Sequence, residues 1–115
     1  MIASDIISAA RVMLQDTSAG ADQRWTDAEM LLWIREGQPI ICGLRPDSRI
    51  HPTTGVRIAV TTPATTADSL WLPEKWKSAM TNYLLHRCYL RDSEDAGNAV
   101  LAKTYWDLFM GDMTR

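Results

Sequence analysis

The side chains best suited to chemistry in this sequence are two histidines, His51 and His86, two cysteines, Cys42 and Cys88, and a handful of carboxylates. A zinc site would need the histidines to converge with the cysteines or with a carboxylate, and such ligands usually come as close pairs of the C-x-x-C or H-x-x-x-H kind. No such pair occurs. His86 and Cys88 stand two apart on a helical run, so they point to different faces. Asp47, Ser48 and His51 are the residue types of an orienting acid, a nucleophile and a base, but crowded into one turn they read as loop residues. There is no G-x-S-x-G elbow, no P-loop and no glycine-rich dinucleotide turn. Asp92, Glu94 and Asp95 could bind a cation, yet at the start of a helix they read as cap and dipole partners. These residues predict no enzyme, no metal and no cofactor.

The elements that would have to position any site are helical, and the stretch from Leu72 to Asp112 organises them. Pro73 suits a first helical turn, and Trp76, Met80, Tyr83, Leu84 and Cys88 follow at helical spacing, with Lys75, Ser78, Asn82 and His86 as one narrow polar stripe. Ser93 and the acids around it open a second run on which Ala96, Ala99, Ala102, Trp106, Phe109 and Met113 share a face. Gly111 is its expected stop. Upstream, Ser4 caps a short helix with Ile6, Ala9, Ala10, Met13 and Leu14 inward, and Asp16 to Arg24 is a polar loop. Thr26 and Glu29 stand at capping-box spacing, with Trp25 and Met30 placed as a hydrophobic staple. Met30, Trp33, Ile34, Gly37, Ile41 and Leu44 keep one phase across Pro39, so one helix, kinked near Arg35 to Pro39, is expected.

Between Ser48 and Gly55 the chain reads as loop. Val56, Ile58 and Val60 then alternate with Arg57, Ala59 and Thr61, as in a half-buried strand, and a second strand is expected over Thr66 to Leu72. The predicted fold is mainly α, a four-helix bundle-like single domain over residues 1–115. Its helices lie at about 4–15, 26–44, 73–91 and 93–110, with a small β-hairpin, about 56–72, inserted between helices two and three. Two strands alone are marginal in water. Support from the helices or from a partner is therefore expected.

At 115 residues the chain has the length of one domain. Its net charge of -2 argues against an affinity for nucleic acid that rests on a positive field. Arg87 and Arg91, one turn apart, are expected to bind carboxylates or helix-end carbonyls. Residues 2–10 lack the basic start of a signal peptide, and no apolar run reaches membrane-spanning length, so a chain that stays in the cytoplasm is expected. In that compartment Cys42 and Cys88 would be buried free thiols. Five tryptophans in so short a chain imply a bulky core or large contact surfaces.

Arg24-Trp25-Thr26-Asp27-Ala28-Glu29, Leu44-Arg45-Pro46-Asp47, and Leu72 to Ala79 each resemble segments of the head-tail connector, or adaptor, proteins of tailed bacteriophages. Tyr83, His86-Arg87, Tyr89, Asp92, Glu94 to Ala99 and the aromatic Tyr105-Trp106-Phe109 resemble the same family, so the likeness spans nearly the whole chain. The resemblance implies a structural virion protein made in the host cytoplasm and placed at the head-tail neck. It implies a homo-oligomer, a twelve-membered ring beneath the portal protein. The ring would extend the channel through which the genome DNA passes without sequence-specific binding, and would dock the tail or a tail-completion protein. Phe109, Met110, Met113 and Arg115 would form the portal interface, and Val56, Ile58, Val60, Leu70 and Trp71 a subunit or tail interface. Two other readings stay open. One is a small helical DNA-binding regulator using Lys75, Lys77, Arg87 and Arg91; the other is a dimeric protein-interaction module.

Overall fold

A computed structural model describes residues 1–16 and 24–114. The loop expected between Asp16 and Arg24 falls mostly outside the described residues, as does Arg115. Four helices form: α1 (Ala3–Leu14), α2 (Asp27–Leu44), α3 (Lys77–Arg91) and α4 (Ala96–Met113). The fold is mainly helical, as the spacing of apolar residues predicts. It is a flattened body, 43 × 29 × 18 Å, in which α3 touches each of the other three helices.

The start of α2 follows the sequence closely. The Thr26 hydroxyl accepts the Glu29 N–H at 3.1 Å, and the Glu29 carboxylate accepts the Thr26 N–H at 3.3 Å. Trp25 and Met30 are both buried. Such a reciprocal cap contributes about 1 kcal/mol. One helix runs through Pro39. Arg35, whose carbonyl loses its helical donor, is exposed together with Pro39, so water can satisfy that carbonyl.

Gly37 has a different reason to be where it is. A Cβ placed there would lie 2.8 Å from Tyr83 Cδ2 and 3.1 Å from Met80 Sδ, so α2 crosses α3 over a bare backbone. Gly37→Ala is expected to cost about 1–3 kcal/mol through overpacking, although alanine at a helical position normally gains up to about 1 kcal/mol over glycine. Gly43, in the same helix, has open space where its Cβ would go. Urea midpoints should therefore fall for Gly37→Ala and rise or hold for Gly43→Ala.

Several helix ends differ from the expectation. Ser4 does not cap α1. The cap position is Ile2, and the free N–H groups of Ala3 and Ser4 donate instead to the carbonyls of Asp68 (3.2 Å) and Thr66 (2.8 Å). The inward face of α1 is also rotated: Ala3, Ile6, Ile7, Ala10 and Arg11 are buried, while Met13 is exposed. At the other end of the chain Asp95, not Ser93, caps α4 by accepting the Gly97 N–H at 2.8 Å. Gly111 does not stop α4, which continues to Met113 because the Met113 side chain packs in the core. Pro73 is extended, and a short 3-10 turn, Glu74–Trp76, leads into α3.

The predicted β-hairpin over 56–72 is not there: among the described residues no strand forms, and two single antiparallel bridges, Ile50 with Arg57 and Ile2 with Ser69, stand in its place. The physical reason is that the two halves find different partners. Residues 66–70 meet the start of α1, where Leu70 N–H donates to Met1 O at 2.9 Å. Leu70, Trp71 and Leu72 join the core. Residues 56–62 are left on the surface, with Ile58 alone half-buried.

Candidate functional site

The residues that could do chemistry are placed apart or are already engaged. His51 Nδ1 accepts the N–H groups of Thr53 and Thr54, each at 3.2 Å, as a loop residue would. Asp47 is held by Arg45 through two bonds of 2.9 and 2.8 Å, which keeps its carboxyl below the usual carboxylate range. Ser48 Oγ is buried and joins neither of them. Burial pushes the Cys88 thiol up to about 12, so it stays protonated and unreactive. Cys42 is half-buried and free. Among the described residues no group of histidines, cysteines and carboxylates is arranged to hold a metal ion.

His86 is not the solvent-facing residue that its stripe implies. Half of the polar stripe meets α4 along a seam: His86 Nδ1 lies 2.8 Å from Ala102 O, and Asn82 donates to Asp112 at 3.0 Å, while Lys75 and Ser78 stay exposed. Aromatic rings line the same seam. His86 and Trp106 have centroids 5.0 Å apart, Tyr83 and Phe109 meet edge-on at 5.4 Å, and Tyr89 stacks on Tyr105 at 5.7 Å. Asn82 and His86 are half-buried because α4 brings a carboxylate and a carbonyl to satisfy them.

Arg87 and Arg91 bind carboxylates, as their spacing suggests. Arg91 Nη1 bonds both oxygens of Glu29 at 2.8 and 2.6 Å and Arg91 Nη2 donates to Arg24 O at 2.7 Å, while Arg87 pairs with Glu36 at 3.4 Å. The Arg91 bond holds the Glu29 carboxyl below its ordinary range. Its contribution is thus complete above that range and is lost as the pH falls through the lowered value. Both arginines also lie over indole rings, Arg91 over Trp25 and Arg87 over Trp33.

What remains is surface. α4 packs mainly on α3 and buries Ala102, Phe109 and Met113, while Val100, Leu101 and Leu108 are exposed and Trp106 is partly so. Val12, Met13 and Leu32 are exposed on α1 and α2, and Val56 and Val60 on the 56–62 strap. Of the residues expected at a portal interface, Phe109 and Met113 are buried in the chain's own core and Met110 is half-buried against it. Of those expected at a subunit or tail interface, Leu70 and Trp71 are buried, Ile58 is half-buried, and Val56 and Val60 are free to meet a partner. The exposed side of α4 was not legible beforehand, because a helix apolar on several sides does not say which side its own domain covers. No helix among the described residues is long and apolar enough to cross a membrane. No family model, curated protein or solved structure matches this chain.

Proposed function

We propose that the chain is a structural subunit of a bacteriophage head-tail connector, a ring that sits beneath the portal protein, extends the DNA channel and offers the tail or a tail-completion protein its docking surface. The reading draws on the sequence resemblance, and one observation of the fold supports it: large apolar side chains are left exposed on more than one helix. Val100, Leu101 and Leu108 lie on α4, Val12 and Met13 on α1, and Leu32 on α2. A ring needs a heterologous contact, in which one patch of each subunit meets a different patch of the next. Exposed apolar side chains on different helices are compatible with such a contact. The portal contact would fall to the exposed Leu108 of α4 rather than to Phe109 and Met113, which serve the core.

The rival reading as a DNA-binding regulator loses two of its four cations, since Arg87 and Arg91 are paired with Glu36 and Glu29. Without a dense positive face, affinity for phosphates is weak. The decisive measurement is mass in solution, alone and mixed with portal rings. Portal rings should take up about twelve copies each, and Val100→Asp with Leu108→Asp should keep the helical spectrum but lose uptake. A folded wild-type chain that leaves portal rings bare would overturn the reading.

A further inference from the structure

Residues 56–62 carry a strand pattern without a strand. Val56, Ile58 and Val60 alternate with Arg57, Ala59 and Thr61, and from Ile58 to Pro63 the chain runs without turn or bend. Val56 and Val60 are 64% and 52% exposed. On one edge the segment is anchored to residues 49–51: Ile58 N–H donates to Arg49 O at 2.6 Å, and Val56 O accepts the His51 N–H at 2.9 Å. Backbone groups of successive residues in a strand point to opposite edges. The N–H and C=O groups of Arg57 therefore face the other edge, and among the described residues the N–H groups of Arg57, Ala59 and Thr61 have no partner.

We infer that this edge pairs with the same edge of a second copy of the chain, as an antiparallel two-chain ribbon centred on Ala59. The pattern fits itself in one register. With Ala59 opposite Ala59, Arg57 lies opposite Thr61 and Ile58 opposite Val60, so the outward-facing residues form the hydrogen-bonded pairs and the branched side chains share a face. The one charged residue, Arg57, meets a neutral threonine, so no like charges are opposed. Val60, exposed in one chain, is covered by Ile58 of the other. Gly55, in the left-handed region at φ 68°, ends the segment on one side. Pro63, which has no N–H to donate, ends it on the other. An edge with unpaired backbone groups and β-branched side chains invites strand addition, and its own copy is the partner for which the register is complementary. This twofold contact is distinct from the heterologous contact of a ring and does not depend on it.

Sedimentation of the full chain across a concentration series should show a dimer that dissociates on dilution. Thr61→Glu places a carboxylate opposite Arg57 twice and should tighten the dimer by up to about tenfold, whereas Thr61→Lys opposes like charges and should weaken it similarly. In a Cys42→Ala background, Ala59→Cys should form a covalent dimer under mild oxidation, and Val56→Cys should not. A monomer at every concentration would overturn the pairing. So would a larger assembly in which Ala59→Cys fails to cross-link, or equal responses to the two Thr61 variants, with an unchanged helical spectrum certifying that each variant is folded.

Discussion

Phe109→Ala should lower the unfolding free energy by about 3–5 kcal/mol, read as a drop in urea midpoint at unchanged slope. Phe109 is fully buried. Its ring meets Tyr83 edge-on at 5.4 Å and lies 5.5 Å from Trp106, so truncation removes aromatic contacts from both helices of the α3–α4 seam. A solvent-facing anchor would behave otherwise, since a surface substitution usually stays within about 0.5 kcal/mol. The same argument covers the chain end. Cutting after Leu108 would remove Phe109, Met113 and the Met113 carbonyl to which Arg45 donates at 3.4 Å, so loss of the fold, not a simple loss of docking, is the expected outcome. Portal contacts are better tested by Leu108→Asp, which leaves the seam intact.

Arg11→Met should cost about as much, roughly 3–5 kcal/mol, for an electrostatic reason. Arg11 and Asp16 are both buried, and Arg11 Nη1 donates to Asp16 Oδ2 at 2.9 Å while Nη2 bonds Asp27. Asp16 in turn accepts the N–H groups of Arg24 (3.1 Å) and Trp25 (3.3 Å), tying the end of α1 to the start of α2. Removing the guanidinium leaves a carboxylate charge buried with neutral donors alone. Adding Asp16→Asn to Arg11→Met should recover part of the loss, and a double-mutant cycle on chemical unfolding measures the coupling. Purely additive effects would show that the pair acts independently.

Local rules determined much of this chain. Capping chemistry between Thr26 and Glu29 depends on atoms three residues apart, so the start of α2 is written in the sequence. Apolar phase carried α2 through Pro39, since a helix keeps its buried face whatever one backbone bond does. Arg87 and Arg91 read as partners of carboxylates or helix-end carbonyls, and they pair with Glu36 and Glu29.

Tertiary structure decided what each face meets. Asn82 and His86 look like part of a wet stripe until α4 supplies Asp112 and Ala102 O to them. Arg11 is buried because Asp16 and Asp27 converge on its guanidinium, and it belongs to the buried face of α1 together with Ile6, Ile7 and Ala10. Ser4 looked like a cap because its type is right, but the carbonyls that satisfy the first turn come from Thr66 and Asp68. The alternation of Val56, Ile58 and Val60 states a preference for a strand, and a strand needs a neighbour. Residues 66–70 pair with the start of α1 instead, which leaves that edge open. Sequence determines which residues prefer a helix, a cap or a strand, because those preferences are local; the partner that satisfies each polar group or covers each apolar face is set only when distant segments pack.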